Sequence, residues 1–373
     1  MAEIKLQGVW KKYGAVEAVK GIDFQCKDGE LLSILGPSGC GKTSTLRMIT
    51  GLEEITAGQI LFDGQVVNKL APKERDVAMA FEDYALYPAL SVFDNIAFPL
   101  RAPHRAANYT PEEVKRKVHE LAQVLDLSPI LKQSVKKLSG GQQQRISLAR
   151  ALIRPASVYV LDEPLSHLDG RQQLEVRASL RRMQQIQKTT ILLVTHNQAE
   201  AIAMADRIIL MNNGLIEQIG TSAEIWNNPV SLFVADFIGD PPMNFIKAHY
   251  DRDGKTFKAH ETLIPVPKKH IQSASLLGTE TEFTIGIRPS DIAVSLKQEA
   301  GSTLWGEVWV MEPMGDESIV TVSRDELKLK ALVPGDFRAE IGQRVWLSPN
   351  LDLVHIFSNQ TGNSLSYPGK KVD

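Results

Sequence analysis

Cysteine is scarce in this chain. Only Cys26 and Cys40 occur among 373 residues, and neither lies in a CxxC pattern. That excludes a disulfide framework and a cysteine-rich zinc site, and it fits a reduced, cytosolic setting. Long apolar runs are missing too. No stretch approaches the roughly 18 uninterrupted apolar residues of a membrane span. The N-terminus, MAEIKLQGVW, carries Glu3 and Lys5 and has no apolar core, so it does not read as a signal peptide. If the protein works at a membrane, another chain must carry the spanning segments. An excess of one charge is also lacking. The chain has 42 Lys+Arg against 44 Asp+Glu, a net charge of −2, which gives no general pull toward nucleic acid. There is no internal repeat and no low-complexity segment.

What is present points to two domains of different character. Before residue 240, short apolar runs alternate with helical patterns. LLSILG (31–36), SVYVLD (157–162) and TILLVTH (190–196) are nearly continuous apolar runs, suited to strands covered on both faces of a largely parallel sheet. Thr110-Pro111-Glu112-Glu113 offers an N-cap, a proline at the first helical position and a capping-box glutamate. Val114, Val118, Leu121 and Leu125 then follow at helical spacing. GDPPMNF (239–245) punctuates the chain and sets the expected boundary between domains 1–238 and 239–373. Beyond it, TEFTIGI, WGEVWVM, SIVTV, LKLKALV, RVWLS and LDLVHIF read as close-set strands of a small barrel or sandwich. The tail TGNSLSYPGKKVD is expected to fray.

The strongest local signal is GPSGCGKT (36–43), which fits G-x-x-x-x-G-K-[ST] between an apolar strand and a plausible helix, KTSTLRMIT. Gly36, Gly39 and Gly41 let the backbone turn its N–H groups inward on phosphate oxygens, around Pro37, Ser38 and Cys40. The helix N-terminus adds a favourable partial charge. Lys42 can reach the β- and γ-phosphates, and the Thr43 hydroxyl can ligate Mg²⁺. Asp162 ends the strand SVYVL, where a second carboxylate can hold the metal, and Glu163 directly after it can take a proton from an attacking water. In LSGGQQQR (138–145), a serine and two glycines at a helix start make a second phosphate-facing nest. Two nests make sense if one serves the nucleotide of another subunit.

With these motifs the sequence resembles the ATP-binding cassette ATPases. GPSGCGKT stands as Walker A, LSGGQ (138–142) as the signature, VYVLDE (158–163) as Walker B, SHLD (166–169) as the D-loop and VTHNQAE (194–200) as the switch region. The resemblance implies an α/β P-loop cassette: a RecA-like core with an antiparallel β subdomain and a helical signature subdomain at about 84–155, followed by a β-rich, OB-like (TOBE) regulatory domain. It implies that Tyr13, in KKYGAVEAV, stacks on adenine, and that Gly36 to Ser44 hold the phosphates of ATP with Mg²⁺ on Thr43 and Asp162. Glu163 would be the general base and His196 would contact the γ-phosphate. Ser139, Gly140, Gly141, Gln142 and the D-loop's Asp169 would close over the nucleotide of a second cassette, an identical copy or a related chain.

YALYPALSVFDNIAFPLR (84–101), FVADFIGDPPMNF (233–245), GIRPSDI (286–292) and WGEVWVMEPMGDE (305–317) resemble the ATPase subunits of bacterial importers of the maltose and glycerol-phosphate type. Such subunits sit peripherally on the cytoplasmic face of the inner membrane. They drive two permease subunits fed by a periplasmic or tethered solute-binding protein. Soluble cassette proteins that act on DNA or ribosomes usually carry coiled-coil insertions or duplicated cassettes, and neither is present.

Three positions depart from the family pattern. Glu82, in AFEDYALYP, stands where the family usually has the Q-loop glutamine. An ionised Glu82 would hold Mg²⁺ tightly and slow product release, whereas a protonated one would mimic glutamine. Turned to solvent, or to a cation on the membrane subunit, it would do neither. The expectation is a turnover lowered but not abolished, with a weakly hydrolysing member of an unequal pair as the alternative. His167 replaces the common asparagine or alanine of the D-loop, and Asn197 the aspartate after the switch histidine. The Cys40 thiol, inside the phosphate loop, is expected to be open to alkylation.

Overall fold

The structure, a computed structural model, describes residues 2–103, 106–251, 256–259, 262–265, 280–299 and 304–365. Two compact units emerge, Met1–Ser222 and Ala223–Asp373. No helix among the described residues is long and apolar enough to cross a membrane.

The first unit runs β1 (Ile4–Tyr13), β2 (Val16–Cys26), β3 (Leu31–Leu35), α1 (Lys42–Thr50), β4 (Ala57–Phe62), β5 (Gln65–Val66), β6 (Val77–Ala80), α2 (Val92–Ala97), α3 (Pro111–Val124) and α4 (Gly140–Leu152). It continues with β7 (Val158–Asp162), α5 (Gly170–Gln187), β8 (Thr190–Thr195), α6 (Gln198–Met204), β9 (Arg207–Asn212) and β10 (Leu215–Gly220). Strands β2-β1-β4-β5 form an antiparallel sheet, while the second sheet has the order β10-β9-β3-β8-β7-β6. Within it β9, β3, β8, β7 and β6 run parallel.

The continuous apolar runs are explained by two-sided burial. Every position of β3, β7 and β8 is buried. Leu31, Leu161 and Leu193 face the core shared with the helical subdomain. Their neighbours Leu32, Val160 and Leu192 face the core under the antiparallel sheet. That is the period of two expected of a strand between two layers. Each such side chain contributes about 1.5–3 kcal/mol. At the far edge, Asp76 accepts from Ser157 N (3.0 Å) and Ser157 Oγ (2.9 Å) and pairs with Arg154, which fixes β6 against β7. The capping box expected at Thr110 is formed: Glu113 N donates to Thr110 Oγ1 (3.2 Å), and Thr110 N to the Glu113 carboxylate (2.8 Å).

The second unit opens with the short helices α7 (Ser222–Asn227) and α8 (Leu232–Phe237). Its strands are β11 (Asn244–Asp251), β12 (Thr256–Ala259), β13 (Thr262–Pro265), β14 (Glu282–Ile287), β15 (Ile292–Ser295), β16 (Leu304–Pro313), β17 (Glu317–Arg324), β18 (Leu327–Pro334), β19 (Arg344–Pro349) and β20 (His355–Ser358). They form two sheets, β13-β12-β11-β14-β20 and β15-β19-β16-β17-β18. Asn244 Nδ2 donates to Ile287 O (3.2 Å) and Lys330 O (2.8 Å), joining the two sheets. The stretch LDLVHIF is not one strand. Leu351–Leu353 forms a 3₁₀ turn capped by Asn350, and pairing starts only at His355. Of the tail expected to fray, residues 361–365 are bonded in, with Ser364 N on Val230 O and Leu365 N on Ile356 O, both at 2.9 Å. Residues 366–373 lie outside the described residues.

Buried Arg288 ties the helical start of this unit to its sheets. Its guanidinium donates to Ile238 O (2.7 Å) and Trp226 O (2.6 Å) and stacks 3.7 Å from the Trp226 ring centroid. Arg288→Ala leaves two carbonyls without their donor. The expected loss is about 3 kcal/mol. Urea unfolding of the full chain, followed by hydrogen exchange of the C-terminal strands, reads this directly.

Candidate functional site

The parallel strands deliver their C-terminal ends side by side. Register pairs Leu35 with Thr195, Val194 with Asp162, and Leu161 with Ala80. The residues that leave these strands are therefore neighbours: the glycine loop after β3, His196 after β8, Asp162 and Glu163 at the end of β7, and Glu82 after β6. Ligands of open α/β sheets bind at such carboxyl ends.

The loop 36–43 is shaped as a cradle. Gly39 (φ 79°) and Gly41 (φ 105°) occupy the left-handed region. A Cβ on Gly36 would stand 2.2 Å from Met211 O, so only glycine fits there. Helix α1 starts at Lys42 with no side-chain cap. Among the described residues the amides of Gly39, Gly41 and Thr43 make no hydrogen bond, so they remain open to an anion. The Lys42 ammonium meanwhile donates to Gly36 O (2.9 Å) and Pro37 O (3.0 Å), bracing the loop. Cys40 is buried at 3% exposure, and burial pushes its thiol pKa up. The expectation of an alkylation target is therefore corrected, since the reactive thiolate is disfavoured and covered.

Asp162 is 4% exposed, and its Oδ1 finds no partner among the described residues. Burial first, then the charges of Glu82 and Glu163, push its carboxyl up to about 6. An unpartnered buried carboxylate oxygen beside open amides and a lysine fits a divalent cation bound together with phosphate. Glu163 is nearly buried, and its backbone is left-handed, with φ 48°. Its N–H donates to Val194 O (2.9 Å), anchoring it to β8. Its carboxylate lies 2.7–2.8 Å from His196 Nδ1, at both oxygens. An ionised carboxylate can only accept, so Nδ1 carries the proton in this bond. The bond fixes the orientation of both groups. Asn197 caps α6, accepting from Glu200 N at 3.2 Å, as expected of asparagine in place of aspartate.

Glu82 is exposed and makes no hydrogen bond or ion pair among the described residues. Its field on Asp162 nevertheless places it at the site. Tyr13 is 44% exposed, and its hydroxyl contacts Glu53 and, at 3.4 Å, Ser44 Oγ of α1. Glu53 also pairs with Lys11 and Arg47. The ring thus stands beside the cradle, braced at its hydroxyl.

The signature and D-loop pack against each other, and the D-loop's Ser166 Oγ donates to Glu163 O (3.0 Å). Ser139 caps α4 through a reciprocal box with Gln142: Gln142 N donates to Ser139 Oγ (3.3 Å), and Ser139 N to Gln142 Oε1 (3.0 Å). Asp169 caps α5, accepting from Gln172 N at 2.9 Å. A Cβ on Gly141 would lie 3.1 Å from His167 O, so the two segments pack closely. No hydrogen bond or ion pair joins residues 139–142 to residues 36–44 among the described residues. Sequence reasoning missed Gln144. This buried side chain donates to Glu163 O (2.6 Å) and Ser166 Oγ (3.2 Å) and accepts from His167 N (2.9 Å), linking the strand end to the D-loop. Its place in a run of three glutamines carries no signal of burial.

Family models match three parts of the chain: "ABC transporter" at residues 19–166, "MalK OB fold domain" at 239–292 and "TOBE domain" at 285–357. The sn-glycerol-3-phosphate import ATP-binding protein UgpC of Cereibacter sphaeroides is 38% identical, covering 98% of this chain and all of that one. The chain belongs to the ATP-binding subunits of ABC transporters. The trehalose/maltose import ATP-binding protein MalK of Thermococcus litoralis is also 38% identical, over 98% of this chain and 100% of its own length. The multiple sugar-binding transport ATP-binding protein MsmK of Streptococcus mutans is 39% identical, over 97% and 99%. Among solved structures, the ATP-binding cassette MJ0796, a dimer in a post-hydrolysis state with ADP and Pi, is 30% identical. It matches 58% of this chain and 98% of its own with a TM-score of 0.55. The cassette fold and its β-rich C-terminal domain, expected from the motifs, are those of the family.

The raised Asp162 carboxyl has a consequence for the nucleotide-free cassette. Its folded value of about 6 lies above the unfolded value of 3.8, so the folded state binds the extra proton. The contribution to stability is full below pH 4 and is lost as pH rises through about 6. Asp162→Asn removes that loss. The variant is expected to be more stable than the parent at pH 8, by on the order of 2 kcal/mol, with the gap closing by pH 4. Thermal unfolding without nucleotide or metal, across that range, checks the sign.

Proposed function

We propose that the chain is the ATP-hydrolysing subunit of an importer for a carbohydrate, polyol or glycerol-phosphate solute. It would act as a dimer of cassettes, identical or related, on the cytoplasmic face of the inner membrane. Two permease subunits would carry the solute, supplied by a periplasmic or tethered binding protein. The observation that carries this reading is the pairing of Glu163 with His196 at the strand ends that also bear the phosphate cradle and the Asp162 oxygen, which has no partner among the described residues. Full-length similarity to import ATP-binding proteins supports the importer class over a soluble cassette protein.

The residue roles proposed are those the family resemblance implies, and the geometry supports them. The loop amides and Lys42 bind the phosphates of ATP, and Tyr13 offers a braced ring to adenine. Thr43 and Asp162 would hold Mg²⁺, with Glu82 within its field. When bound, Mg²⁺ supplies Lewis-acid neutralisation of phosphate charge. Glu163 accepts the proton of the attacking water, its carboxylate held ready by His196. Ser139, Gly141 and Asp169 would serve the nucleotide of the facing cassette, in keeping with the family resemblance. Burial of solute selectivity in other subunits leaves the sugar itself to them.

Glu163→Gln is expected to lower ATP turnover by about 100-fold or more while ATP still binds and dimerises the cassette. Turnover within a few-fold of the parent sinks the assignment of the base. Glu82→Gln removes a negative charge from a site that must hold triphosphate. It is expected to raise turnover several-fold and to change the Mg²⁺ dependence. Unchanged rate and unchanged Mg²⁺ dependence place Glu82 outside the chemistry.

A further inference from the structure

Just after Glu82, the backbone adopts a conformation the sequence does not favour. Tyr84 (φ 62°) and Ala85 (φ 45°) are consecutive non-glycine residues in the left-handed region. Neither type holds that region without outside support. Tyr84 N donates to Phe81 O (3.2 Å) and Ala85 N to Asp83 O (2.7 Å), and the support from outside the loop is Arg150, in the last turn of α4. Its Nη1 donates to Ala85 O (2.6 Å) and its Nη2 to Tyr84 O (3.1 Å). The guanidinium also lies 5.1 Å from the Tyr87 ring centroid. A planar fork holds two adjacent carbonyls from two nitrogens in a fixed geometry, whereas an ammonium is a point charge on a flexible stem and sets their directions less strictly.

The held loop touches both the signature helix and the D-loop. The Tyr84 ring meets His167 edge-on, with centroids 5.4 Å apart at 73°. The Tyr84 hydroxyl stands 3.1 Å from where a Cβ on Gly140 would be, at the start of the signature helix. His167 is itself fixed by Gln144 at its N–H (2.9 Å) and by Ser166 Oγ at Nδ1 (3.0 Å). Gln144 in turn holds Glu163 O. One aromatic side chain therefore joins the loop bearing Glu82 to the signature and to the D-loop.

We propose that Arg150 and Tyr84 form a strained joint. Arg150 is a positioning residue that sets where Glu82 stands, and Tyr84 transmits that position to Gly140 and His167. Release of the Arg150 fork lets residues 84–85 relax, withdrawing Glu82 and freeing the D-loop together. The part of this proposal that concerns the facing cassette rests on the dimeric reading above. The clamp on residues 84–85 stands without it.

The test uses the full chain and two readouts. Hydrogen exchange of the nucleotide-free protein reports the clamp, and steady-state ATP hydrolysis reports its use. Arg150→Met is expected to speed exchange across residues 84–87 by about 10-fold or more. Because Tyr84 then no longer holds Gly140 and His167, the variant is expected to lower kcat by about 10-fold, outweighing the withdrawal of the Glu82 charge, with KM for ATP changed less than about 2-fold. Arg150→Lys is expected to fall between the parent and Arg150→Met in both readouts, because an ammonium can reach the carbonyls without the fork's fixed geometry. Adding Ala85→Gly to Arg150→Met should restore part of the lost kcat, because glycine holds positive φ unaided. A merely structural loss would not be rescued that way. Wild-type exchange at residues 84–87 in Arg150→Met, full activity in Arg150→Lys, or no rescue by glycine overturns the proposal. If Arg150→Met does not fold, Tyr84→Ala carries the test: it should lower the cooperativity of hydrolysis in ATP, and unchanged cooperativity counts against the joint. A parent chain that hydrolyses no ATP contradicts the import-ATPase reading instead, and leaves the exchange result to judge the clamp.

Discussion

A carboxylate oxygen buried without a partner is the constraint on which the rest of this cassette turns. Asp162 ends a fully buried strand, and its Oδ1 meets no donor among the described residues. Leaving such a group unpaired is costly unless it is protonated or met by a cation. Two further carboxylates, Glu82 and Glu163, sharpen the imbalance, while Lys42 and Arg47 relieve only part of it. The site is thus destabilised in a way that a bound cation would relieve. Stability is surrendered where binding can recover it.

The remaining structure holds that imbalance in place. Two-sided burial of β3, β7 and β8 fixes the register that aligns their ends. Asp76, Ser157 and Arg154 lock the outer strand β6, so the loop carrying Glu82 leaves from a defined point. Glu163 is held in a left-handed backbone by its bond to Val194 and turned by His196. On the helical side, Ser139 caps α4 and Asp169 caps α5, which orders the starts of both helices.

Much of this was legible in the sequence because glycine spacing and flanking patterns carry steric meaning. GPSGCGKT between a buried strand and a helix has few other uses, and Gly36, Gly39 and Gly41 are each required by close approach or positive φ. The Thr110–Glu113 box was equally plain. Other features had no sequence signal. Nothing in tyrosine or alanine announces the left-handed pair at 84–85, which depends on Arg150 from more than sixty residues away. Burial of Cys40 comes from packing against Gly36, which motif matching does not see. Strand β11 was passed over because its inward positions include Asn244 and Ala248, which weaken the apolar alternation. The 3₁₀ turn at Leu351–Leu353 follows from the cap by Asn350 rather than from the apolar run that contains it.

The central claim is that Asp162 waits for a cation delivered with nucleotide. The direct measurement is Mn²⁺ binding by electron paramagnetic resonance, with the full chain and a non-hydrolysable ATP analogue, comparing the parent with Asp162→Asn. The account predicts a protein-bound Mn²⁺ signal in the parent that weakens by about 10-fold or more in affinity once the carboxylate is lost. Equal Mn²⁺ binding by both proteins would contradict it.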